Sequence, residues 1–208
     1  MRSPVRPRTR QKPLGDTAGR ILDVAENLVQ VRGFNAFSYA DVAKAVGIQK
    51  ASLHHHFATK TDLGVALVVR YRHAFLEALR TIESNSGDGF VRVRRYADLY
   101  GKVLHEGRMC LCGMLASDVA TLPKSMRGSI AEFFAENEEW LARVLAEGKK
   151  RGEVSFDGPA ASMAAFIVSS LEGAMLVARA GGDTQHFDDV VGRLLERVRP
   201  AKPKRRNA

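Results

Sequence analysis

The sequence is poor in the features that define secreted and membrane proteins. It has two cysteines in 208 residues, Cys110 and Cys112, and this spacing on a helix would point them about 200° apart, so no disulfide between them is expected. No run approaches the ~20 consecutive apolar residues of a membrane span. The basic N-terminus lacks the apolar segment of a secretory signal. The sequence therefore predicts a cytoplasmic protein with no membrane partner.

The motifs of common enzymes and metal sites are also missing. No Gly-rich phosphate loop, Gly-x-Ser-x-Gly elbow, His-Glu-x-x-His helix or paired-carboxylate pattern stands out. The run His54, His55 and His56 does not indicate a metal site, because successive helical side chains point about 100° apart and cannot share one ion. We therefore expect no enzymatic activity, no cofactor and no metal.

The net charge of +9 is concentrated at the two ends of the chain. Residues 1–12 contain five basic and no acidic residues, and residues 197–208 contain six basic and no acidic residues. These eleven positive charges leave the rest of the chain with a net charge of −2. Basic tails attract nucleic acid, although a tail of this kind can equally serve only to keep a protein soluble.

Hydrophobic periodicity predicts an all-α protein of nine helices. A basic N-terminal arm at 1–16 precedes a compact three-helix domain at 17–60, and a six-helix domain at 61–200 is followed by a basic tail at 201–208. The predicted helices span about 17–32, 38–45, 49–57, 60–84, 90–106, 109–121, 124–150, 159–180 and 184–199.

Residues 38–57 have the pattern of a helix-turn-helix, in which two short helices are joined by a turn with a central glycine. Ala43 is small where the two helices cross, and Gly47 permits the turn. A helical projection places Ala51 and His55 on the outer face of the third helix. Small and polar side chains on that face suit insertion into the major groove of DNA.

The segment GFNAFSYADVAKAVGIQKASLHHHFATKTDL resembles the DNA-binding segment of the TetR family of bacterial regulators. The resemblance covers about residues 17–64 and rests on the spacing, the glycines, the HHHF ending and the following Lys-x-Asp-Leu. The family usually has tyrosine where this chain has His54. The resemblance implies a repressor that binds a palindromic operator in double-stranded DNA as a dimer and releases it when a small-molecule inducer binds the six-helix domain.

The same resemblance implies the residues that contact DNA. Ser38 and Lys60 would hold phosphates, while the third helix would read bases. Ser38 also fits the role of a plain helix cap. The predicted DNA-binding residues are Ser38, Tyr39, Gln49, Lys50, Ala51, Ser52, His54, His55 and Lys60.

A sensor domain needs a largely apolar cavity with a few polar anchors. Candidate ligand-binding residues lie on helices four to eight, and each also fits ordinary core packing. They are Tyr71, Phe75, Tyr96, Tyr100, Cys110, Met114, Phe133, Asn137, Trp140 and Glu172. Helices eight and nine carry apolar stripes, which in this family pair with their copies and so imply a homodimer through these helices. The same stripes could instead pack inside one subunit.

The run GRMCLCGMLASDVATLP resembles the start of helix six in a subgroup of the family that includes the repressor of N-ethylmaleimide reductase. This resemblance implies that Cys110 senses electrophiles or oxidants. Arg108 and the helix N-terminus are expected to lower the pKa of its thiol. The alternative is a buried cysteine that acts as a small apolar side chain. For the whole chain, the alternative function is a ligand-independent architectural DNA-binding protein.

Overall fold

The structure is a computed structural model that describes residues 15–200, with side chains from residue 17 onward. This part of the chain contains nine α-helices, two 3₁₀ turns and no strand, which confirms the all-α prediction. The helices are α1 Gly15–Arg32, α2 Tyr39–Val46, α3 Lys50–His56, α4 Lys60–Asn85, α5 Gly89–His105, α6 Leu111–Ser117, α7 Lys124–Arg151, α8 Ala160–Gly181 and α9 Gln185–Val198. The basic tail and the first fourteen residues of the predicted arm lie outside the described residues.

Two of the helices begin at capping boxes. The Ser38 hydroxyl and backbone N–H each donate to the carboxylate of Asp41, both at 2.7 Å, and the Asp41 N–H donates back to the hydroxyl. Thr59 and Asp62 form the equivalent box at the start of α4. A cap of this kind stabilises a helix by about 1 kcal/mol, so both boundaries are readable from local sequence.

Helix six is shorter than predicted. The prediction covered 109–121, whereas α6 ends at Ser117 and a separate 3₁₀ turn covers Val119–Thr121. The start is also later, because the N–H of Met109 donates to the carbonyl of Gln30 in α1 at 3.2 Å. A tertiary hydrogen bond therefore holds the residues before Leu111 against α1 instead of leaving them free to join the helix.

Helix α4 connects the helix-turn-helix domain to the rest of the protein. Gly64 lies where α4 meets the 3₁₀ turn Phe34–Ala36 on one side and α7 on the other. A Cβ atom at this position would lie 2.7 Å from the Met126 sulfur and 2.9 Å from the Phe34 ring. Glycine therefore permits the close approach of the two domains at α4.

Helix α8 packs on α7 and α9, yet one side of it is apolar and uncovered. Phe166, Leu176 and Val177 are 49%, 46% and 55% exposed. Among the described residues α8 is also the one helix long and apolar enough to cross a membrane, with a mean hydropathy of 1.7. The sequence prediction missed this property because it counted consecutive apolar residues, and Glu172 interrupts the run. Core helices of folded domains meet the same criterion.

Candidate DNA-binding and ligand-binding sites

The turn between α2 and α3 depends on Gly47, which adopts the left-handed conformation with φ 77°. Its N–H donates to the carbonyl of Ala43 at 3.0 Å and closes the end of α2. Leu53 of α3 is fully buried and anchors that helix in the core of the domain. One glycine in the turn and one buried leucine in α3 therefore orient α3 relative to α2.

The outer face of α3 is exposed, as the helical projection predicted. Leu53 faces inward, and His56 and Phe57 are half-buried beside it. The exposed residues are Gln49, Lys50, Ala51, Ser52, His54 and His55. Their contacts with DNA bases and phosphates remain predictions.

Tyr39 lies inside the domain and not on its outer face. Its hydroxyl is 2.9 Å from the carbonyl oxygen of Phe57 and 2.5 Å from that of Thr59, and burial raises its pKa to about 12. Its ring lies 4.8 Å from the ring of His54, whose Nδ1 donates to the carbonyl of Ala58 at 3.0 Å. Tyr39 thus holds the end of α3 to the start of α4, and a DNA contact would require it to release these carbonyls.

Lys60 is also directed inward. Its Nζ donates to the carbonyls of Phe34 at 2.6 Å and Phe37 at 2.5 Å, and it lies 4.3 Å from the centre of the Phe37 ring. Loss of hydration lowers the pKa of the ammonium. The structure therefore gives Lys60 an internal role, and the predicted phosphate contact would require the ammonium to leave both carbonyls.

A cavity of about 310 Å³ lies between the two domains and is a candidate ligand site. Most of its wall is apolar, and four charged side chains also contribute to it. It is lined by Glu26, Gln30, Tyr71, Ala74, Phe75, Ala78, Leu99, Tyr100, Lys102, Val103, Glu106, Arg108, Cys110 and Met175. Sequence reasoning missed the contribution of α1, because nothing in a single helix shows that its last turns face a second domain.

The structure brings four of the predicted ligand-binding residues to this cavity: Tyr71, Phe75, Tyr100 and Cys110. The remaining predicted residues do not line it; they are Tyr96, Met114, Phe133, Asn137, Trp140 and Glu172. Most of them lie in the core behind the wall. The Phe75 ring lines the cavity and also contacts two predicted residues that do not line it. Its centre is 5.1 Å from that of the Phe133 ring and 6.1 Å from that of the Tyr96 ring.

Several polar atoms in this core have no hydrogen-bond partner among the described residues. They are Oδ1 of Asn137, Nε1 of Trp140 and both carboxylate oxygens of Glu172. The Glu172 carboxylate lies against the backbone of Gly113 in α6, where any larger residue would overlap it. Burial raises the pKa of Glu172 to about 7. Native interiors contain few such groups, so this cluster requires an explanation.

The predicted lowering of the Cys110 pKa is wrong. Cys110 is 2% exposed, and burial, together with the nearby Glu172 carboxylate, raises its thiol pKa well above the ordinary value. The Arg108 guanidinium does not offset this effect, because it donates to Gln30 Oε1 at 2.7 Å and to the Glu106 carboxylate. The thiol therefore keeps its proton at neutral pH in this conformation.

Gln30 links the two domains, although the sequence alone gave no sign of this role. It is 1% exposed, and its carbonyl accepts the N–H of Met109 at 3.2 Å and the guanidinium of Arg179 at 3.0 Å. Arg179 also donates to the carbonyl of Val31. The last turn of α1 is thus held by the loop before α6 and by the end of α8.

An exposed recognition helix joined through α4 to a helical domain, with a cavity at the junction, defines a DNA-binding regulator with a potential sensor site. Residues 21–67 match the model for bacterial regulatory proteins of the tetR family, and residues 89–194 match that for the tetracyclin repressor-like C-terminal domain. The chain belongs to the TetR family of transcriptional regulators.

Individual relatives support the same assignment. The chain is 26% identical over 169 residues to the transcriptional repressor NemR of Escherichia coli K12, covering 79% of this chain and 84% of NemR. It is 28% identical over 166 residues to the nucleoid occlusion factor SlmA of Marinobacter nauticus, again covering 79% and 84%. A TetR-family regulator from Agrobacterium tumefaciens has a similar crystal structure, with a TM-score of 0.85 and 34% identity over 89% of this chain and 98% of that one.

The outward position of His55 predicts a specific role in base recognition. We expect His55→Ala to weaken binding to the cognate operator about 10- to 100-fold, as for the loss of one good base contact, with little change on random DNA. Fluorescence anisotropy on both DNAs measures the difference. His73→Ala, which removes an exposed histidine of α4, serves as the control. Equal losses on cognate and random DNA would contradict a base contact.

The raised pKa of Glu172 predicts that stability falls as the pH rises from about 4.5 to about 7. In this range the folded chain keeps a proton that the unfolded chain has lost, so the free energy of unfolding decreases with pH, by about 3 kcal/mol in all from this group. Glu172→Gln should remove this decrease. The variant should match the wild type near pH 4.5 and be more stable at pH 8.

Urea unfolding at the two pH values measures this effect. Glu139→Gln removes an exposed carboxylate of α7 and should keep the wild-type pH dependence. If both variants retain the same dependence, the buried carboxyl of Glu172 is not its source.

Proposed function

We propose that this protein is a cytoplasmic, homodimeric transcriptional repressor, which binds a palindromic operator and releases it when a small molecule occupies the cavity between the domains. The observation that carries the proposal is the composition of the cavity wall. Glu26 and Gln30 come from the DNA-binding domain, whereas Tyr100 and Met175 come from the helical domain. A ligand in the cavity therefore contacts both domains directly.

In this proposal, the hydrogen bonds around Gln30 transmit the effect of ligand binding to the helix-turn-helix domain. Arg108 lines the cavity and also holds the side chain of Gln30. A ligand that displaces Arg108 would loosen the last turn of α1 and change the orientation of the helix-turn-helix domain. Ligand and operator would then favour different conformations of the dimer, which is the thermodynamic requirement for induction.

The exposed apolar face of α8 supports the homodimer. Phe166 continues into a groove between α8 and α9, where Val190 and Leu194 also contribute apolar surface. Exposed apolar surface of this kind marks an interaction site. A two-fold pairing through α8 and α9 would repeat the recognition helix with the spacing of about one turn of DNA, or a multiple of it, that a palindrome requires.

The similarity to a nucleoid occlusion factor favours a second candidate, a DNA-binding protein that is not released by a metabolite. Both candidates require the helix-turn-helix, so DNA binding alone does not distinguish them. Release from DNA by a small molecule does.

The decisive experiment measures binding of the full chain to DNA from upstream of its own gene, with and without a panel of small molecules. We expect binding at least ~10³-fold tighter than to random DNA, and release by at least one compound. Ala74→Trp places a large ring in the cavity wall and should block release while operator binding persists. Ala131→Trp, on an exposed part of α7, should behave as the wild type.

The outcomes separate the candidates. Specific binding that no compound alters would favour the architectural function. The absence of specific binding would contradict both functions. Equal release of the Ala74→Trp protein and the wild type would show that the cavity is not the inducer site.

The burial and raised pKa of the Cys110 thiol favour a reversible ligand over an electrophile as the inducer. Because reaction requires the thiolate, we expect N-ethylmaleimide to modify Cys110 more slowly than a free cysteine at pH 7, and Cys112 more slowly still, since only Cys110 lines the cavity. Peptide mass spectrometry after limited reaction measures both rates. Rapid modification of Cys110 with loss of operator binding, abolished in Cys110→Ser, would restore the electrophile-sensing hypothesis.

A further inference from the structure

We propose that the inducer is an organic cation, an amine whose N–H groups bind the carboxylate of Glu172 while its apolar part fills the adjoining cavity. This inference rests on the proposed function, because it names the chemistry of the ligand that would release the operator. The evidence is the set of buried polar atoms behind Tyr71 and Cys110.

The Glu172 carboxylate has no strong hydrogen-bond donor among the described residues. Both oxygens are enclosed, and the donor that acts on them is the Cys110 thiol, which is a weak one. The Arg72 guanidinium does not serve this carboxylate, since it donates to Glu132 and Glu136. An ionised carboxylate in such a place requires a cation or several donors. A ligand that supplies positively charged N–H groups would meet both requirements.

The neighbouring unpaired atoms point to the same ligand chemistry. Asn137 Nδ2 donates to the carbonyl of Phe133 at 2.6 Å, which fixes Oδ1 as an unpaired acceptor. Counted with the two oxygens of Glu172, the described core of the helical domain has three unpaired acceptors and one unpaired donor, Nε1 of Trp140. This core therefore lacks donors, and an amine supplies them where a carboxylate ligand would not.

Aromatic rings near this carboxylate favour a cation over a neutral alcohol. The Tyr96 ring stacks on that of Trp140 at 5.7 Å and lies 5.4 Å from that of Tyr100. Burial is the main cause of the raised pKa values of both tyrosines, and the charge of Glu172 adds to the effect. Ring faces attract cations by cation–π interaction, and the effect is strongest away from water.

Tyr71 and Cys110 connect the cavity to the Glu172 carboxylate. Tyr71 and Cys110 line the cavity, and the charge of Glu172 acts on both. Between them lies a single weak contact of 3.8 Å, from the tyrosine hydroxyl to the sulfur. Met175, one turn after Glu172 on α8, also lines the cavity. Rotation of the Tyr71 side chain would join the cavity to the carboxylate.

The experiment compares matched compounds that differ only in the polar group. Benzylamine, phenethylamine and tryptamine are each tested against the alcohol and the carboxylate of the same skeleton, by isothermal titration calorimetry on the full chain. We expect the amine to bind at least tenfold tighter than both analogues in at least one series. Glu172→Gln should abolish this preference, and Glu139→Gln should preserve it. Circular dichroism checks that both variants are folded.

The possible failures are distinguishable. If no amine binds better than its analogues, or if Glu172→Gln retains the preference, the cation proposal is overturned. Release of the operator by a neutral or anionic compound would then leave the proposed function standing. If amine binding depends on Glu172 but the chain has no specific operator, the cation site stands and the proposed function fails.

Discussion

The attachment of α1 to the helical domain is the constraint on which the arrangement of the two domains depends. Arg179 donates to the carbonyls of Gln30 and Val31, and Arg108 donates to the Gln30 side chain. Charge-assisted hydrogen bonds of this kind are stronger than neutral ones, and here they are partly shielded from water. They place α1 in the wall of the cavity, so the candidate ligand site is shared by the helix-turn-helix domain and the helical domain.

In the helix-turn-helix domain, side-chain hydrogen bonds to backbone carbonyls also hold separate segments together. Two side chains that sequence reasoning assigned to DNA, Tyr39 and Lys60, satisfy backbone carbonyls at the ends of short segments in this structure. The domain is small and has many segment ends, each with carbonyls that need partners. Tyr39 holds the end of α3, and Lys60 holds the segment before α2 to the start of α4.

The core of the helical domain departs from an ordinary apolar interior at one place. An enclosed Glu172, the unpaired indole N–H of Trp140 and the unpaired amide oxygen of Asn137 all reduce the stability of the folded chain. Such groups persist in natural proteins mainly where function requires them. Their position in the core, and not on the surface, connects this loss of stability to the ligand recognition that we propose.

Local sequence accounts for the helix order, the capping boxes at Ser38 and Thr59 and the inward position of Leu53. These features depend on residues at most a few positions apart, and the pattern of apolar side chains reports them directly. Tertiary packing was needed to show the direction of Lys60, the early end of α6, the presence of α1 in the cavity wall and the raised pKa of Cys110. Each of these depends on desolvation or on a hydrogen bond to a distant segment, and neither quantity is encoded in local spacing.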